Sequence, residues 1–458
     1  MANATTSVVT FSILSPDASL SYDRIKLRLE EYRALLASDS DTIELSTENG
    51  KTVVCWRQAK EMEEYLDQAE KLLRDVVQSR DISSLIVLHH LRNLANVLDK
   101  LKLYDECHLT GNCALDLAGA LVRQSFEFRQ EQAETLALIA GLTVYQPHAR
   151  TLFIQAVSTC EEAVANNASH SNKIKLLHVL GRAGSWNLDH LCAQWLERAV
   201  QLMTKELPPT MVHRNCRSAI YYNYGNGLFR LKQHSSALEA YREAILIRRT
   251  LVDNNPAKYN FYLAQTLMNM GITFDDLGKY DDAIVVYKEA LEICTTMSAQ
   301  DPLQYNELMA MTLNNYGTTL GASNQVSEAV VVHKQAISLY RNLAPREEYT
   351  KSLCSALHNH GYSSYSLGQH TEAVLVYQES IPLRRALAAA NNEEEAYLIA
   401  ALHNIANSFH ALGKRADANA AAIEVLKRNH GWVFEYCSYR PDFKACFVCQ
   451  SGMIPDSL

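Results

Sequence analysis

Glycine, proline and long apolar runs are scarce in this chain of 458 residues, and each scarcity excludes a class of protein. Only 17 glycines and 10 prolines interrupt the sequence, which leaves long stretches free to form helices. No apolar run approaches the length of a membrane span. The apolar stretch from Val8 to Leu14 is short and lacks a basic region before it, so we expect neither a membrane anchor nor a secretory signal.

An excess of positive charge is also missing. The formal net charge is −8 and the isoelectric point is near 6.1, whereas phosphate binding needs a concentrated basic face. The doublets Arg248-Arg249, Arg384-Arg385 and Lys427-Arg428 are predicted to lie near the ends of second helices, where cations suit the helix dipole. The sequence therefore predicts no nucleic acid partner.

Motifs for catalysis are lacking, and the cysteines form no framework. No Walker loop, nucleophile elbow or zincin helix is present, so we predict a protein that is not an enzyme and needs no cofactor. The eleven cysteines are scattered, which favours reduced, mostly buried thiols in a cytoplasmic protein.

Two sets of residues could in principle form a metal site, which is the weaker hypothesis for each. Cys446 and Cys449 form a Cys-x-x-Cys pair, but a lone pair of this kind is a weak zinc signal and buried thiols are the expected reading. His358, His403 and His410 could converge if equivalent positions of neighbouring repeats stack, but no carboxylate or cysteine completes a ligand set. We therefore predict no metal.

What the chain does have is an asparagine that recurs in one frame. The six members are Asn93, Asn223, Asn269, Asn315, Asn359 and Asn404. Successive spacings among the last five are 46, 46, 44 and 45 residues, and the gap from Asn93 to Asn223 fits about three periods. A fixed period of this size indicates an array of repeats.

Other residues repeat in the same frame. In the clearest unit, Gly271 is followed by the turn from Leu277 to Tyr280 and by Ala283, Tyr287 and Ala290. Small residues at the Gly271 and Ala283 positions allow two helices to approach closely, and large residues fill the space beside that contact. Gly278, or the Lys or Asn that replaces it elsewhere, is predicted at a turn that needs positive φ.

This pattern closely resembles the tetratricopeptide repeat, and the stretches from Leu313 to Gly317 and from Leu277 to Ala283 resemble its kinesin light chain subtype. The period of 44 to 46 residues is longer than usual, and the connectors lack the His-Pro-Asp segment of kinesin light chains. The resemblance implies an all-α, right-handed α-solenoid of antiparallel helix pairs.

Four regions are expected along the chain. Residues 1–80 form an N-terminal helical cap, in which Thr42 to Trp56 forms either a small hairpin around Asn49-Gly50 or an ordered loop. Residues 81–200 hold degenerate repeats, with one recognisable unit around Asn93 and looser ones around Gly141 and Gly181. Residues 201–430 hold five regular repeats, and the apolar residues 431–458 cap the last helix pair.

A peptide-binding groove is predicted along the first helix of each repeat. An asparagine side chain offers both a donor and an acceptor, so a row of them can bond to the main chain of an extended peptide. The alternative is that the asparagines bond to neighbouring repeats and lock the solenoid. The predicted groove residues are Asn93, Tyr222, Asn223, Asn226, Asn269, Asn314, Asn315, His358, Asn359, Tyr362, His403, Asn404 and Asn407.

The function expected from these features is that of an adaptor or scaffold that binds a peptide or helix of a partner protein. The groove is polar, neutral and aromatic, so acidic peptides are disfavoured except near its N-terminal end, where Arg92 and Lys100 lie. A second hypothesis is a regulatory or oligomerising arm whose own N-terminal helices occupy the groove, which leaves self-association open. The sequence does not identify the partner.

Overall fold

The fold is given by a computed structural model. The described residues are 23–31, 33, 42–47, 50–55, 59–78, 84–124, 128–187, 189–208, 210, 212–298, 302–343, 349–390 and 394–428. The all-α solenoid predicted from the sequence is confirmed, with one short hairpin added. None of the helices described here is long and apolar enough to cross a membrane.

The chain divides into two compact units, residues 1–231 and 232–458. The helices of unit 1 are α1 over residues 23–31, α2 (Ala59–Gln78), α3 (Ser84–Lys100), α4 (Tyr104–Gln124), α5 (Arg129–Ala140), α6 (Ala149–Asn166), α7 (His170–Ser185), α8 (His190–Gln201) and α9 (Arg214–Arg230). A 3₁₀ turn, Thr143–His148, precedes α6, and a π-helical turn, Leu202–Glu206, follows α8.

Unit 2 is a regular stack of helix pairs after its first helix. Its helices are α10 (His234–Asn254), α11 (Pro256–Asp276), α12 (Tyr280–Met297), α13 (Pro302–Ala322), α14 (Val326–Leu343), α15 (Thr350–Ser366), α16 (His370–Ala390), α17 (Glu395–Ala411) and α18 (Arg415–Arg428). We call α11, α13, α15 and α17 the first helices of their pairs and α12, α14, α16 and α18 the second helices. Consecutive first helices lie in contact with one another, so together they form one continuous face.

Helices α1 and α2 are built into the core of unit 1. Ile25 and Leu29 of α1 are buried together with Leu66 of α2, in the same cluster as α3 and α4. Arg24 and Arg28 lie near the buried carboxylate of Glu106. Strands β1 (Thr42–Thr47) and β2 (Gly50–Cys55) pair antiparallel, which confirms the hairpin alternative. The expected C-terminal cap, residues 431–458, lies outside the described residues.

One turn position has positive φ after each of the six helices that carry the repeat asparagine. The position is nine residues after each asparagine, and it holds Lys102, Lys232, Gly278, Asn324, Gly368 and Gly413. The turn prediction is therefore confirmed. An L-residue in this region costs about 1 to 2 kcal/mol relative to glycine, which explains why glycine fills half of these positions.

The close approach predicted at Gly271 is also confirmed. A Cβ atom at Gly271 would lie 2.5 Å from the ring of Tyr287 on the paired second helix, and Tyr287 is fully buried. Gly317 and Gly361 have the same relation to His333 and Tyr377. In three successive pairs, a glycine on the first helix thus leaves room for an aromatic ring of the second helix.

The basic doublets act differently from the prediction. Arg248 and Arg384 are buried, and the Arg384 guanidinium donates to the carbonyl oxygen of Cys354 on α15 at 2.9 Å. The second member of each doublet reaches the next second helix: Arg249 pairs with Glu289 at 2.8 Å and Arg385 with Glu424 at 2.8 Å. These two doublets therefore connect neighbouring repeats. Neither lies in the last turn of its helix, so the expectation that they serve the helix dipole was wrong for them, whereas Lys427 and Arg428 do lie in the last turn of α18.

The cysteines of the described helices are free thiols, mostly buried. Burial raises the pKa of Cys160 and of Cys294 to about 12. A thiol with a raised pKa is a poor nucleophile and a poor metal ligand, so these cysteines pack as small apolar residues.

Candidate functional site

The predicted groove residues are divided between the two units. Asn93 is exposed on α3, whereas Tyr222, Asn223 and Asn226 are half-buried on α9, all in unit 1. The other nine lie on the four first helices of unit 2. The continuous face of unit 2 is therefore where the structure brings most of the predicted residues together.

Two of the asparagines bond to the preceding repeat. The side-chain amide of Asn359 on α15 donates to Asn314 Oδ1 at 3.1 Å and to Thr318 Oγ1 at 3.3 Å on α13. Asn404 Nδ2 on α17 lies 3.4 Å from His358 Nε2 on α15. In both cases one partner, Asn314 or His358, is the residue just before the repeat asparagine of the preceding first helix. These two asparagines therefore connect neighbouring repeats, which was the alternative to peptide binding.

Asn315 departs from this pattern for a chemical reason. The residue equivalent to Asn314 and His358 on the preceding first helix is Met268, whose thioether is a weak hydrogen-bond acceptor. Within the described part of the chain, the Asn315 side chain forms no hydrogen bond, and it is half-buried on the face of unit 2. Its amide is therefore available to a ligand in a way that the Asn359 amide is not.

The part of the face on α17 is enclosed. Every residue from Leu398 to Phe409 is buried, and His403, Asn404 and Asn407 are 1 to 4% exposed. His403 Nδ1 lies 3.3 Å from Asn404 Oδ1 and 3.4 Å from Asn407 Nδ2. These three predicted groove residues are occupied with one another and are not open to an added peptide.

The metal alternative finds no support in the part of the chain that is described. No group of three histidine, cysteine, aspartate or glutamate side chains there could hold a metal ion. His358 and His403 bond to asparagines instead. Cys446 and Cys449 lie outside the described residues.

The profile of the tetratricopeptide repeat family matches residues 216–296. These residues are tetratricopeptide repeats. The same frame, the same turn and the same ring beside glycine continue through α16. No curated protein matches the chain.

Several solved structures are similar in fold. Repeats of a putative kinesin light chain from Podosopora anserina are 18% identical, with 50% of this chain and 99% of that chain covered and a TM-score of 0.38. Aspartyl phosphate phosphatase F from Bacillus subtilis is 16% identical, with coverage of 79% and 93% and a TM-score of 0.41. A signal transduction ATPase with a tetratricopeptide repeat sensor, from Pyrococcus horikoshii, is 12% identical, with coverage of 87% and 58% and a TM-score of 0.49.

Because the Asn359 side chain is hydrogen-bonded to α13 and the Asn315 side chain is not, replacing each with alanine should change stability by different amounts. Asn359→Ala removes both hydrogen bonds to α13 and should lower the free energy of unfolding by about 1 kcal/mol relative to Asn315→Ala. Both asparagines lie inside a first helix, so the gain in helix propensity from alanine is the same and cancels in the comparison. Urea unfolding of the two variants measures the difference, and equal stabilities would show that the bonds of Asn359 contribute nothing.

Proposed function

We propose that the protein is an adaptor that binds an extended segment of a partner protein along the part of the first-helix face formed by α11, α13 and α15, with Asn315 bonding to the main chain of that segment. Tetratricopeptide repeats are a protein-interaction fold, and this general role is supported by the family match. The observation that carries the finer proposal is the available amide of Asn315 among side chains that are otherwise engaged. An amide with one donor and one acceptor direction suits a peptide group.

The surroundings of Asn315 indicate the chemistry of the segment. Thr318 on the same helix is exposed, and Met311 is 38% exposed. On α11, the exposed Asp276 adds a negative charge. The hydroxyl and thioether groups suit neutral or apolar side chains, and the carboxylate of Asp276 disfavours acidic ones.

A selection from a random peptide library displayed on phage, against the whole immobilised chain, tests the proposal. Peptides that bind are then measured against Asn315→Ala and against Asn342→Ala, which removes an exposed asparagine from the second helix α14. We expect Asn315→Ala to weaken binding by roughly tenfold, since one hydrogen bond is lost and its desolvated partner is left unpaired. Asn342→Ala should leave the affinity unchanged.

Two results would contradict the proposal. Selected peptides that bind both variants as well as the wild-type chain would place the binding surface elsewhere. A selection that yields no peptide dependent on residues of α11, α13 or α15 would leave Asn315 without a role in binding.

A further inference from the structure

An ion pair recurs along unit 2 between α10 and the second helices that follow it. An arginine 26 residues after one repeat asparagine pairs with a glutamate 20 residues after the next repeat asparagine. The three pairs have N–O distances of 2.6 to 2.8 Å, and they are Arg249–Glu289, Arg341–Glu379 and Arg385–Glu424. They join α10 to α12, α14 to α16 and α16 to α18.

The junction between α12 and α14 departs from this pattern. Its equivalent positions hold Thr295 and Gln335, neither of which carries a charge. The hydroxyl of Thr295 donates to the carbonyl oxygen of Leu291 on its own helix at 2.8 Å, and it lies 3.8 Å from the sulfur of Met309 on α13. One of four equivalent junctions is therefore neutral at the two positions where the other three have an ion pair.

An open groove of about 420 Å³ lies at this neutral junction. Its apolar part is formed by side chains of α12, α13 and α14, namely Leu291, Met309, Leu313 and Leu339. Its polar part consists of Thr295, Gln335 and Ser338, so the described residues that line the groove carry no charge. Val331, one turn before Gln335 on α14, is 56% exposed and extends the apolar surface.

The groove between α10 and α12 provides a comparison within the same unit. It measures about 350 Å³ and has a similar apolar part, which includes Leu267, Met270 and Val286. Its lining also includes the ion pair of Arg249 and Glu289. An apolar segment bound there would take this ion pair partly out of water, which is unfavourable. The groove between α12 and α14 imposes no such cost.

The polar groups of the neutral groove are open to a ligand. Gln335 and Ser338 are exposed, and their side chains form no hydrogen bond with any residue in the described part of the chain. They are three residues apart on α14 and therefore lie on one face of that helix. An extended segment has main-chain N–H and C=O groups that need partners, whereas those of a helix are bonded internally. The two side chains thus suit an extended segment.

From this arrangement we infer that the groove between α12 and α14 binds an uncharged, extended segment of a partner protein. The aliphatic side chains of the segment insert between the two helices, and its main chain bonds to Gln335 and Ser338. The absence of charge in the groove matches the absence of charge in the segment. The groove shares no residue with the site around Asn315, so either proposal can fail without the other.

Nuclear magnetic resonance of methionine methyl groups in the whole chain tests this inference. Met309 reports on the neutral groove and Met270 on the groove between α10 and α12, and each signal is assigned by its loss in Met309→Leu or Met270→Leu. The probes are N-acetyl-Ala-Leu-Leu-Ala-amide and two charged analogues with Glu-Glu or Lys-Lys in place of Leu-Leu. We expect the leucine peptide to shift the Met309 signal to saturation and the charged peptides to leave it in place. The Met270 signal should respond at least tenfold more weakly.

A pair of substitutions introduces the missing ion pair. Thr295→Arg with Gln335→Glu should weaken binding of the leucine peptide at least tenfold, and the fold should be retained because three junctions already have this pair. Urea unfolding checks that it is. Thr296→Arg with Ser327→Glu is the matched control, since it adds the same charges to exposed positions of α12 and α14 outside the groove. This control should bind the leucine peptide as the wild-type chain does.

Several results would overturn the inference, and those on the wild-type chain do not depend on any variant that binds. They are a Met309 signal that does not respond to the leucine peptide, equal responses of Met309 and Met270, and equal binding of the leucine and charged peptides. Unchanged binding to the folded variant with the introduced ion pair would have the same meaning. A Met309 signal that shifts with the concentration of the chain alone would identify a second copy as the occupant instead.

Discussion

Replacing Gly271 with alanine is expected to lower the free energy of unfolding by about 2 kcal/mol, although alanine is the better helix former. The new Cβ atom would lie 2.5 to 2.9 Å from three ring carbons of Tyr287, which is fully buried. The ring cannot move freely, because its hydroxyl donates to Asp275 Oδ2 at 2.9 Å. Displacing the ring would therefore also weaken a hydrogen bond worth about 1 kcal/mol.

Gly321→Ala is the matched control for this prediction. Gly321 lies in the first helix α13, and a Cβ atom there would meet nothing within 4 Å. The same substitution should therefore raise stability by up to about 1 kcal/mol. Urea unfolding of both variants measures the contrast. If Gly271→Ala were as stable as Gly321→Ala, the glycine would not be needed for the ring contact.

Lowering the pH from 8 to 5 is expected to remove about 2 kcal/mol of stability through His333 alone. Burial, together with the nearby His360, lowers the pKa of His333 to about 4. The folded protein therefore binds fewer protons than the unfolded chain, so this contribution is present above about pH 6.5 and is lost as the pH falls toward 4. Burial also lowers the pKa of His360, in spite of its contact with Glu372, which adds to the same trend.

The variant His333→Phe isolates this effect. The equivalent positions of the neighbouring pairs hold Tyr287 and Tyr377, so an aromatic ring of this size fits beside the glycine. The difference in unfolding free energy between the wild-type chain and the variant, measured at pH 8, 6 and 5, should shift in favour of the variant by about 2 kcal/mol at the lowest pH. A difference that does not change with pH would show that His333 titrates normally.

The frame of the repeat was the part of the structure that sequence could predict well. Small residues, the turn and the ring recur at fixed distances, so each unit supports the reading of the next. All six turn positions have positive φ, including Lys102 and Lys232, where residue type alone does not suggest it. The glycine at 271 was assigned to close helix packing, and the structure places Tyr287 against it.

The roles of individual polar residues could not be predicted in this way. Whether a repeat asparagine is engaged depends on one residue about 45 positions earlier, and Met268 differs there from Asn314 and His358. The sequence analysis also pointed to Arg92 and Lys100 as cations at the N-terminal end of the groove. The structure shows Arg92 paired with two glutamates and Lys100 near Tyr65, at 3.4 Å from its hydroxyl.

The most direct test of the account is to observe the asparagine side-chain amides by nuclear magnetic resonance while a peptide from the selection is added to the whole chain. The account predicts that the amide of Asn315 shifts as the peptide binds, while those of the buried Asn404 and Asn407 stay in place. A bound peptide that leaves Asn315 unchanged would contradict the claim that the first-helix face of unit 2 is the binding surface.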